Sequence, residues 1–493
     1  MGWDALRSRV LQNQIDLGLF PTGTQMAARP DGMPAWESLN PEQRKLYARQ
    51  MEVFAGALSY AEHEFGRILD TLEASGELDN TLIIVTSDNG ASAEEAANGT
   101  YHEQLFVHGV FPTVSQNAPR MGQLGGPDTY PHYAFGWAVA GKTRVPLIVS
   151  WPNGILARGE LRRRYVNVVD IAPTILESAG ATAPTVANNT TQRPMEGESI
   201  AFTFSAPDAP DRKLSQYSEL YGNKGLWSQG WQIVTSHRTA TWDMSSTAPI
   251  NEPWELYNLT TDPGQTRNLA AQAPDRVARM GQMFEEQARR FNVFPLSNMS
   301  ESRRHAQRLT QDDFARRGGV WRYPNPTARI AEFAAPPILF GSYRMTAHVR
   351  LATGRETGPL FAMGARRGGA AFYLRDGRPT FILRDFAGEA VSVSSSRALR
   401  RGENTIELSV ARPSAAPLTP IDVEVAISAN GRELARKTLH YPMPVTYSVS
   451  DTFDIGRDDG AAVSQDYAPS TPFPGEIRNI VFDFRQTAPA DTR

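Results

Sequence analysis

Residues 81–90 read Thr81-Leu-Ile-Ile-Val-Thr-Ser-Asp-Asn-Gly90. A short apolar, β-branched run stops at an acid, an amide and a glycine. A run of this kind reads as a strand buried in a parallel sheet. Asp88 and Asn89 then fall just past its carboxyl end, the rim where open α/β sheets bind ligands. Both side chains offer hard oxygens of the kind that hold Ca²⁺ or Mg²⁺, and Gly90 allows the chain to turn away sharply. Taken alone, the plainer reading is the stronger one: a strand closed by an Asn-Gly turn, since short motifs recur by chance.

Upstream, Asn40-Pro-Glu-Gln43 has the form of a helix start, with Asn40 as N-cap, Pro41 in the first turn and Gln43 reaching back. Met51, Phe54, Leu58, Ala61, Phe65, Ile68 and Leu72 follow in steps of three and four, which predicts one buried face. Gly76 ends the helix. His63, between Glu62 and Glu64, reads as an exposed or edge histidine. Downstream, Val145–Val149 reads as a second sheet strand. Asp170 is placed to cap a further helix, with Pro173 in its first turn and Gly180 just past its end. Helices alternating with strands predict a sheet covered by helices. Asp275–Arg290 reads as a charged amphipathic helix.

The texture changes near residue 300. The stretch 301–326 is arginine-rich without a clear period and reads as a linker. From 327 to 493, short segments of alternating hydrophobicity are separated by turns: Tyr343–Leu351, Ala371–Leu374, Thr380–Leu383, Asn404–Val410, Val423–Ile427 and Ile477–Phe484. Asp376-Gly377 and Asn430-Gly431 are strong hairpin turns. This spacing predicts an all-β sandwich. Asp458 and Asp459 read as a solvated turn, with calcium binding as the alternative.

The whole chain has 493 residues, enough for two domains. Its formal net charge of −3 carries no basic stripe, which disfavours nucleic acid as a partner. Arg162-Arg-Arg164 reads as a solvated turn. No apolar run approaches the ~20 residues of a membrane span, and the first residues carry no apolar signal core, which predicts a soluble chain. There is no cysteine, so disulfides, thiolate metal sites and a cysteine nucleophile are excluded.

Six blocks in order carry a resemblance. They are Thr81–Gly90 with Ala91-Ser-Ala-Glu94, Asn98-Gly99-Thr100, Gly125-Gly-Pro-Asp-Thr-Tyr-Pro-His-Tyr133, Val145-Pro-Leu-Ile-Val-Ser-Trp-Pro152, Val169-Asp-Ile-Ala-Pro-Thr174 onward to Gly180, and Trp254-Glu-Leu-Tyr-Asn-Leu259 with Asp262-Pro263. Residues 1–295 thereby resemble the arylsulfatase family of the alkaline-phosphatase-like superfamily. The resemblance implies an α/β fold with a mixed sheet covered by helices over 1–300. The segment 327–493 resembles jelly-roll domains of the concanavalin and laminin-G type. The implied activity is sulfuric ester hydrolysis, with Ca²⁺ orienting a formylglycine nucleophile against a sulfated small molecule or glycan. Asp88 and Asn89 match the later pair of metal ligands, and Lys142 is the one lysine available as a sulfate ligand.

The chain also departs from that pattern. It has neither Cys-x-Pro-x-Arg nor Ser-x-Pro-x-Arg; Gln272-Ala-Pro-Asp-Arg276 and Asp208-Ala-Pro-Asp-Arg212 hold the Pro and Arg only. The paired aspartates that open the family's domain are missing as well. The expectation is an incomplete sulfatase domain whose amino-terminal part is lost or supplied by a partner chain, inactive alone. His132 and Asp128 are expected to shape a loop. Two alternatives stand beside this reading: a non-catalytic glycan- or protein-binding protein, and a phosphoester hydrolase of the same superfamily.

Overall fold

In the computed structural model, the run that opens the argument forms strand β1 (Ile83–Thr86), and Val145–Val149 overlaps strand β2 (Leu147–Ser150). The structure describes residues 1–485 except 104, 106–109, 128, 142–144, 237–250, 297–317, 340, 386–388, 414–418, 443–445 and 448–450. Two compact units emerge, one built from Met1–Tyr101 and Phe111–Met299, the other from Ser300–Arg493 with His102–Val110.

The first unit is a mixed helix and sheet structure. Helix α1 (Trp3–Asp16) and helix α2 (Pro41–Ser75) lead into β1. The start of α2 is the expected capping box: Gln43 N donates to Asn40 Oδ1 at 2.9 Å and Asn40 N donates to Gln43 Oε1 at 3.0 Å. Gly76, at φ +75°, closes the helix in the left-handed conformation that glycine adopts without a Cβ clash.

Two expectations are corrected here. β1 and β2 pair antiparallel, Ile83 opposite Ser150 through Thr86 opposite Leu147, and among the described residues they form a two-stranded sheet. Neither strand holds a buried residue, and Val85 and Ile148 are 37% and 60% exposed. The apolar face of α2 is likewise open, with Phe54, Leu58 and Ile68 exposed. The residues α2 does bury are Leu46, Tyr47 and Gln50, near its start. The 3.6-residue period did mark a helix. It could not say which surface meets the apolar stripe: Tyr133 packs edge-on against Phe54, and Leu58 and Ile68 are left exposed.

The buried cluster of this half gathers Trp3, Met33, Leu39, Leu46, Tyr47, Leu124, Tyr133 and Trp137, with the helix Phe135–Gly141 packed against α1. A hairpin of two short strands, β3 (Val186–Ala187) and β4 (Thr190–Thr191), follows the helix Ile171–Ser178. Beyond it lies a four-stranded antiparallel sheet in sequential order, β5 (Ser215–Leu220), β6 (Asn223–Ser228), β7 (Trp231–Val234) and β8 (Glu255–Asn258). The amphipathic helix Pro274–Arg290 lays Met280, Phe284 and Ala288 on it, against Leu226, Ile233 and Leu256.

The second unit is a β-sandwich of two six-stranded antiparallel sheets. One runs β10 (Thr327–Ala331), β19 (Thr452–Ile455), β12 (Gly358–Ala365), β13 (Gly368–Arg375), β14 (Arg378–Arg384), β15 (Ala390–Ser394). The other runs β18 (Arg432–Pro442), β17 (Pro420–Ala429), β16 (Gly402–Ala411), β11 (Tyr343–Leu351), β20 (Glu476–Asp483), β9 (Val320–Tyr323). Alternate residues of β11, β16 and β17 fill one core between them. Asp376 and Gly377, at φ 49° and 72°, and Asn430 and Gly431, at 52° and 77°, have the paired positive φ of a type I′ hairpin. The sandwich starts earlier than turn signals place it, because β9 lies inside the expected linker 301–326 and pairs with β20.

Candidate functional site

The rim past β1 is held by short-range bonds. Thr86 Oγ1 donates to Pro146 O at 2.9 Å, tying the end of β1 to the start of β2. Ser87 Oγ donates to Asn89 O at 2.6 Å, and Asn89 N donates to Asp88 Oδ1 at 2.9 Å. Asn89 Nδ2 turns back to Gly90 O at 2.8 Å. These bonds leave the second Asp88 oxygen and the Asn89 amide oxygen available on an exposed rim.

Whether these residues suit calcium is a question of ligand number. A Ca²⁺ ion takes about six to eight oxygens, several from carboxylates. Among the described residues no group of three or more His, Asp or Glu is placed to hold a metal ion. The two side chains at the rim fall well short of a cage, so by themselves they do not make a calcium site. Lys142, the expected sulfate ligand, lies outside the described residues, as does Asp128.

The blocks that flank the rim are brought together by α2. Thr100 and His132 form an isolated antiparallel bridge, with Thr100 N to His132 O and His132 N to Thr100 O both at 3.0 Å. Gln50 spans both sides: its Nε2 donates to Asn98 O at 2.9 Å and its Oε1 accepts from Ala134 N at 3.1 Å. Tyr47 OH donates to Asn98 Oδ1 at 2.7 Å, and Trp137 Nε1 donates to Tyr47 O at 2.9 Å. Gly99 sits at φ +62°, and a Cβ there would meet His132 O at 2.5 Å. His132 Nδ1 approaches the buried carboxylate of Glu95 at 2.8 Å. His132 thus shapes this loop. Gln50 and Tyr47 are the residues the sequence reading passed over. Their signal was a glutamine and a tyrosine in register with the apolar positions of α2.

Asp170 does more than the expected cap, and does it elsewhere. Its carboxylate makes no bond to the helix Ile171–Ser178. Oδ2 accepts from Asn167 N at 2.8 Å, and Oδ1 accepts from Glu198 N at 2.8 Å while meeting Lys213 Nζ at 2.7 Å. Asp170 is 1% exposed, so this is a buried ion pair that fastens two loops. Thr174 extends it, donating to Asp170 O at 2.6 Å and accepting from Ile200 N at 3.0 Å.

In the sandwich, Asp458 and Asp459 are not a solvated turn. Asp458 is 1% exposed; its Oδ2 accepts from Tyr467 OH at 2.6 Å and from Val463 N at 2.9 Å, while Oδ1 is buried with no bond. Burial pushes its carboxyl up to about 7, aided by the charges of Asp451 and Asp454 and opposed by the bonds from Tyr467 and Val463. Asp459 goes the other way. Burial would raise it, but Arg329 and Arg457, at 3.1 and 2.7 Å, more than offset that and hold it below the usual carboxylate range. Opposite shifts in neighbouring acids describe a hydrogen-bonded and ion-paired loop, and Asp459 is already taken up by arginines.

Residues 18–181 match the Sulfatase family, and residues 137–290 match the family of N-sulphoglucosamine sulphohydrolase C-terminal regions. The chain is 30% identical to an uncharacterized sulfatase of Schizosaccharomyces pombe over 56% of its own length and 50% of the relative's. It is 29% identical to the arylsulfatase of Klebsiella aerogenes over 38% of this chain and 40% of the relative. It is 22% identical to the N-acetylglucosamine-6-O-sulfatase of Bacteroides thetaiotaomicron over 50% of this chain and 37% of the relative. The chain therefore spans half or less of the length of these curated relatives. At the level of the family, residues 18–290 are sulfatase-like.

Proposed function

We propose that residues 18–290 serve sulfuric ester hydrolysis of the arylsulfatase type as one part of a composite site. In this reading Asp88 and Asn89 are two of the ligands of a Ca²⁺ ion, and further polypeptide supplies the remaining ligands and the nucleophile. One observation carries it: the two candidate ligands stand at the end of a strand whose two-stranded ribbon holds no fully buried residue. A rim that offers too few oxygens and a sheet that buries no residue call for the same remedy. The family matches support the class of chemistry. The substrate class, a sulfated small molecule or glycan, follows from that class alone.

No step is assigned to the metal, because the residues present do not hold one. What these residues do is narrower. Ser87 and the backbone fix the Asp88–Asn89 turn, so both free oxygens sit on one rim. The bridge at Thr100 and His132, pinned by Gln50, fixes the loop that follows. The phosphoester alternative needs clustered His and Asp ligands, and no observation among the described residues favours it.

The test is turnover of nitrophenyl sulfate by the purified full chain, alone and after co-expression with a polypeptide carrying a Cys-x-Pro-x-Arg loop. The chain alone is expected to be silent, and co-expression to restore a turnover that Asp88→Ala abolishes. Turnover by the chain alone, lost in Asp88→Ala, overturns the composite site. Turnover on co-expression that survives Asp88→Ala overturns the role given to Asp88.

A further inference from the structure

We propose that the outer face of the sheet β18–β17–β16–β11–β20–β9 binds a saccharide carrying one anionic substituent, in a cleft centred on His348, Arg400 and Asn479. Strand register places the central residues. His348 lies opposite Thr405 on one side and Asn479 on the other. Ala347, Val349, Ile406 and Ile480 are fully buried, so their neighbours in sequence face outward across the sheet. Between His348 and Val349 the pairing with β20 slips by one residue, from Asn479 to Ile477, which leaves Arg478 as the bulged residue. Bulges re-aim side chains and collect beside binding sites.

The walls of the cleft are fixed before any ligand arrives. Asn430, in the left-handed conformation at φ 52°, donates through Nδ2 to Asn404 Oδ1 and accepts through Oδ1 from Thr405 N, both at 3.0 Å. Asn404 Nδ2 in turn donates to Arg400 O at 2.8 Å and to Gly402 O at 3.0 Å. Both amides are fully used within the protein, so they act as structure. Arg478 is paired with Glu403 at 2.8 Å and with Glu476 at 3.8 Å. A preorganised polar wall lowers the entropy lost on binding.

Three groups are left unspent. The Asn479 Oδ1 is buried and accepts no hydrogen bond. Leaving a buried acceptor without a partner is unfavourable, so the site favours a donor. His348 bonds Thr405 Oγ1 through Nδ1 at 3.1 Å, which leaves its Nε2. Arg400 makes no ion pair among the described residues, so its guanidinium is the one charge at the cleft left for a ligand. The cleft measures about 440 Å³, and every residue that lines it is polar or charged. That size falls in the range of small-ligand sites, ~300–1,000 Å³. Lining residues that are all polar or charged disfavour lipids and apolar ligands, and no Phe, Tyr or Trp ring offers a platform for nucleic-acid bases. A ring with several hydroxyls and one negative group satisfies an orphan acceptor, an imidazole and a lone guanidinium together.

The experiment is calorimetric titration of the full chain with glucose 6-sulfate, galacturonic acid, glucose and inorganic sulfate. One or both anionic sugars are expected to bind at least tenfold more tightly than glucose and than sulfate. Arg400→Gln is expected to remove that preference, and His348→Ala to weaken binding at least tenfold. Thr346→Ala, on the same face but outside the lining, is expected to change nothing. The sulfated and carboxylated sugars separate the two sources of the negative charge. Sulfate alone binding as tightly as the sugars overturns the saccharide, and so does loss of binding in Thr346→Ala. Absence of binding by every sugar at millimolar concentration, with unchanged melting of Arg400→Gln, overturns the site. Because the sandwich is tested by binding, this outcome is independent of sulfatase turnover.

Discussion

Replacing Asp458 by Asn tests the reading of the sandwich loop through its pH dependence. Asn keeps the shape of the side chain and an oxygen for Tyr467 and Val463, but cannot titrate. In the unfolded chain the carboxyl has its ordinary value of 3.8, and in the fold it is raised to about 7. Above the unfolded value the unfolded chain has released its proton while the folded chain still holds it. Stability then falls as pH rises, from about pH 4 until the folded group also ionises near pH 7. Each unit of separation is worth about 1.4 kcal/mol, which puts the full penalty at roughly 4 kcal/mol and the part between pH 5 and 8 at roughly 2.5 kcal/mol.

The chain has two units, so a single melting curve does not isolate this effect. Hydrogen exchange of β13 and β16 peptides, followed in urea, reads the opening of the sandwich by itself. Subtracting the variant from the wild type at each pH cancels the chemical exchange rate and every shared group that does not interact with Asp458. The wild type should lose about 2.5 kcal/mol relative to Asp458→Asn between pH 5 and 8. Tyr467→Phe should push the loss to higher pH, because it removes the 2.6 Å bond that favours the carboxylate. Curves that stay parallel within about 0.5 kcal/mol refute the reasoning, since a group at its ordinary value gives no such slope.

Other perturbations follow from burial and exposure. Asp170→Ala should destabilise the first unit by about 3–5 kcal/mol in urea unfolding, because it strands Lys213 as a buried charge, and Lys213→Met in that background should recover much of the loss. Asp88→Ala should change stability by less than about 0.5 kcal/mol, since its carboxylate bonds only Ser87 and Asn89, and calorimetry should find no tight calcium binding by the chain alone. Ile148→Lys and Leu58→Lys, at positions 60% and 62% exposed, should leave unfolding unchanged and suppress self-association in sedimentation velocity.

Much of the fold was legible where local chemistry decides it. Asn40 and Gln43 announced a capping box, and Asp376-Gly377 and Asn430-Gly431 announced hairpins, because each depends on residues a few positions apart. β11 was read at its true bounds because it alternates cleanly, with Arg344 and Arg350 facing out and Tyr343, Met345, Ala347, Val349 and Leu351 facing in. β12 went unread for a physical reason. Gly358–Ala365 is buried on both faces, one in the sandwich core and the other against Val463 and Tyr467, so it shows no alternation. β18 went unread for the opposite reason: most of it is exposed, and it presents few apolar residues. At the candidate site, Asp88 and Asn89 were legible from the strand end. Gln50 and Lys213 were not, because the partners they meet are 48 and 43 positions away along the chain.

The exposed apolar surface and the short ligand set bear on one another. Among the described residues, the large apolar side chains left exposed all lie at or before Phe294, with several on α2, β1 and β2 and none in the sandwich. Large exposed apolar surface marks an interaction site or a liability to associate. A second copy of the chain could cover it, but would bring only another Asp88 and Asn89. Two such pairs offer at most about six side-chain oxygens, the low end of what the ion takes, and still bring no Cys-x-Pro-x-Arg or Ser-x-Pro-x-Arg loop. Self-association and catalytic completion are therefore separable. A dimer that stays silent toward both calcium and nitrophenyl sulfate shows the surface covered without the chemistry. A complex with a loop-bearing polypeptide that gains both supports the composite site proposed above.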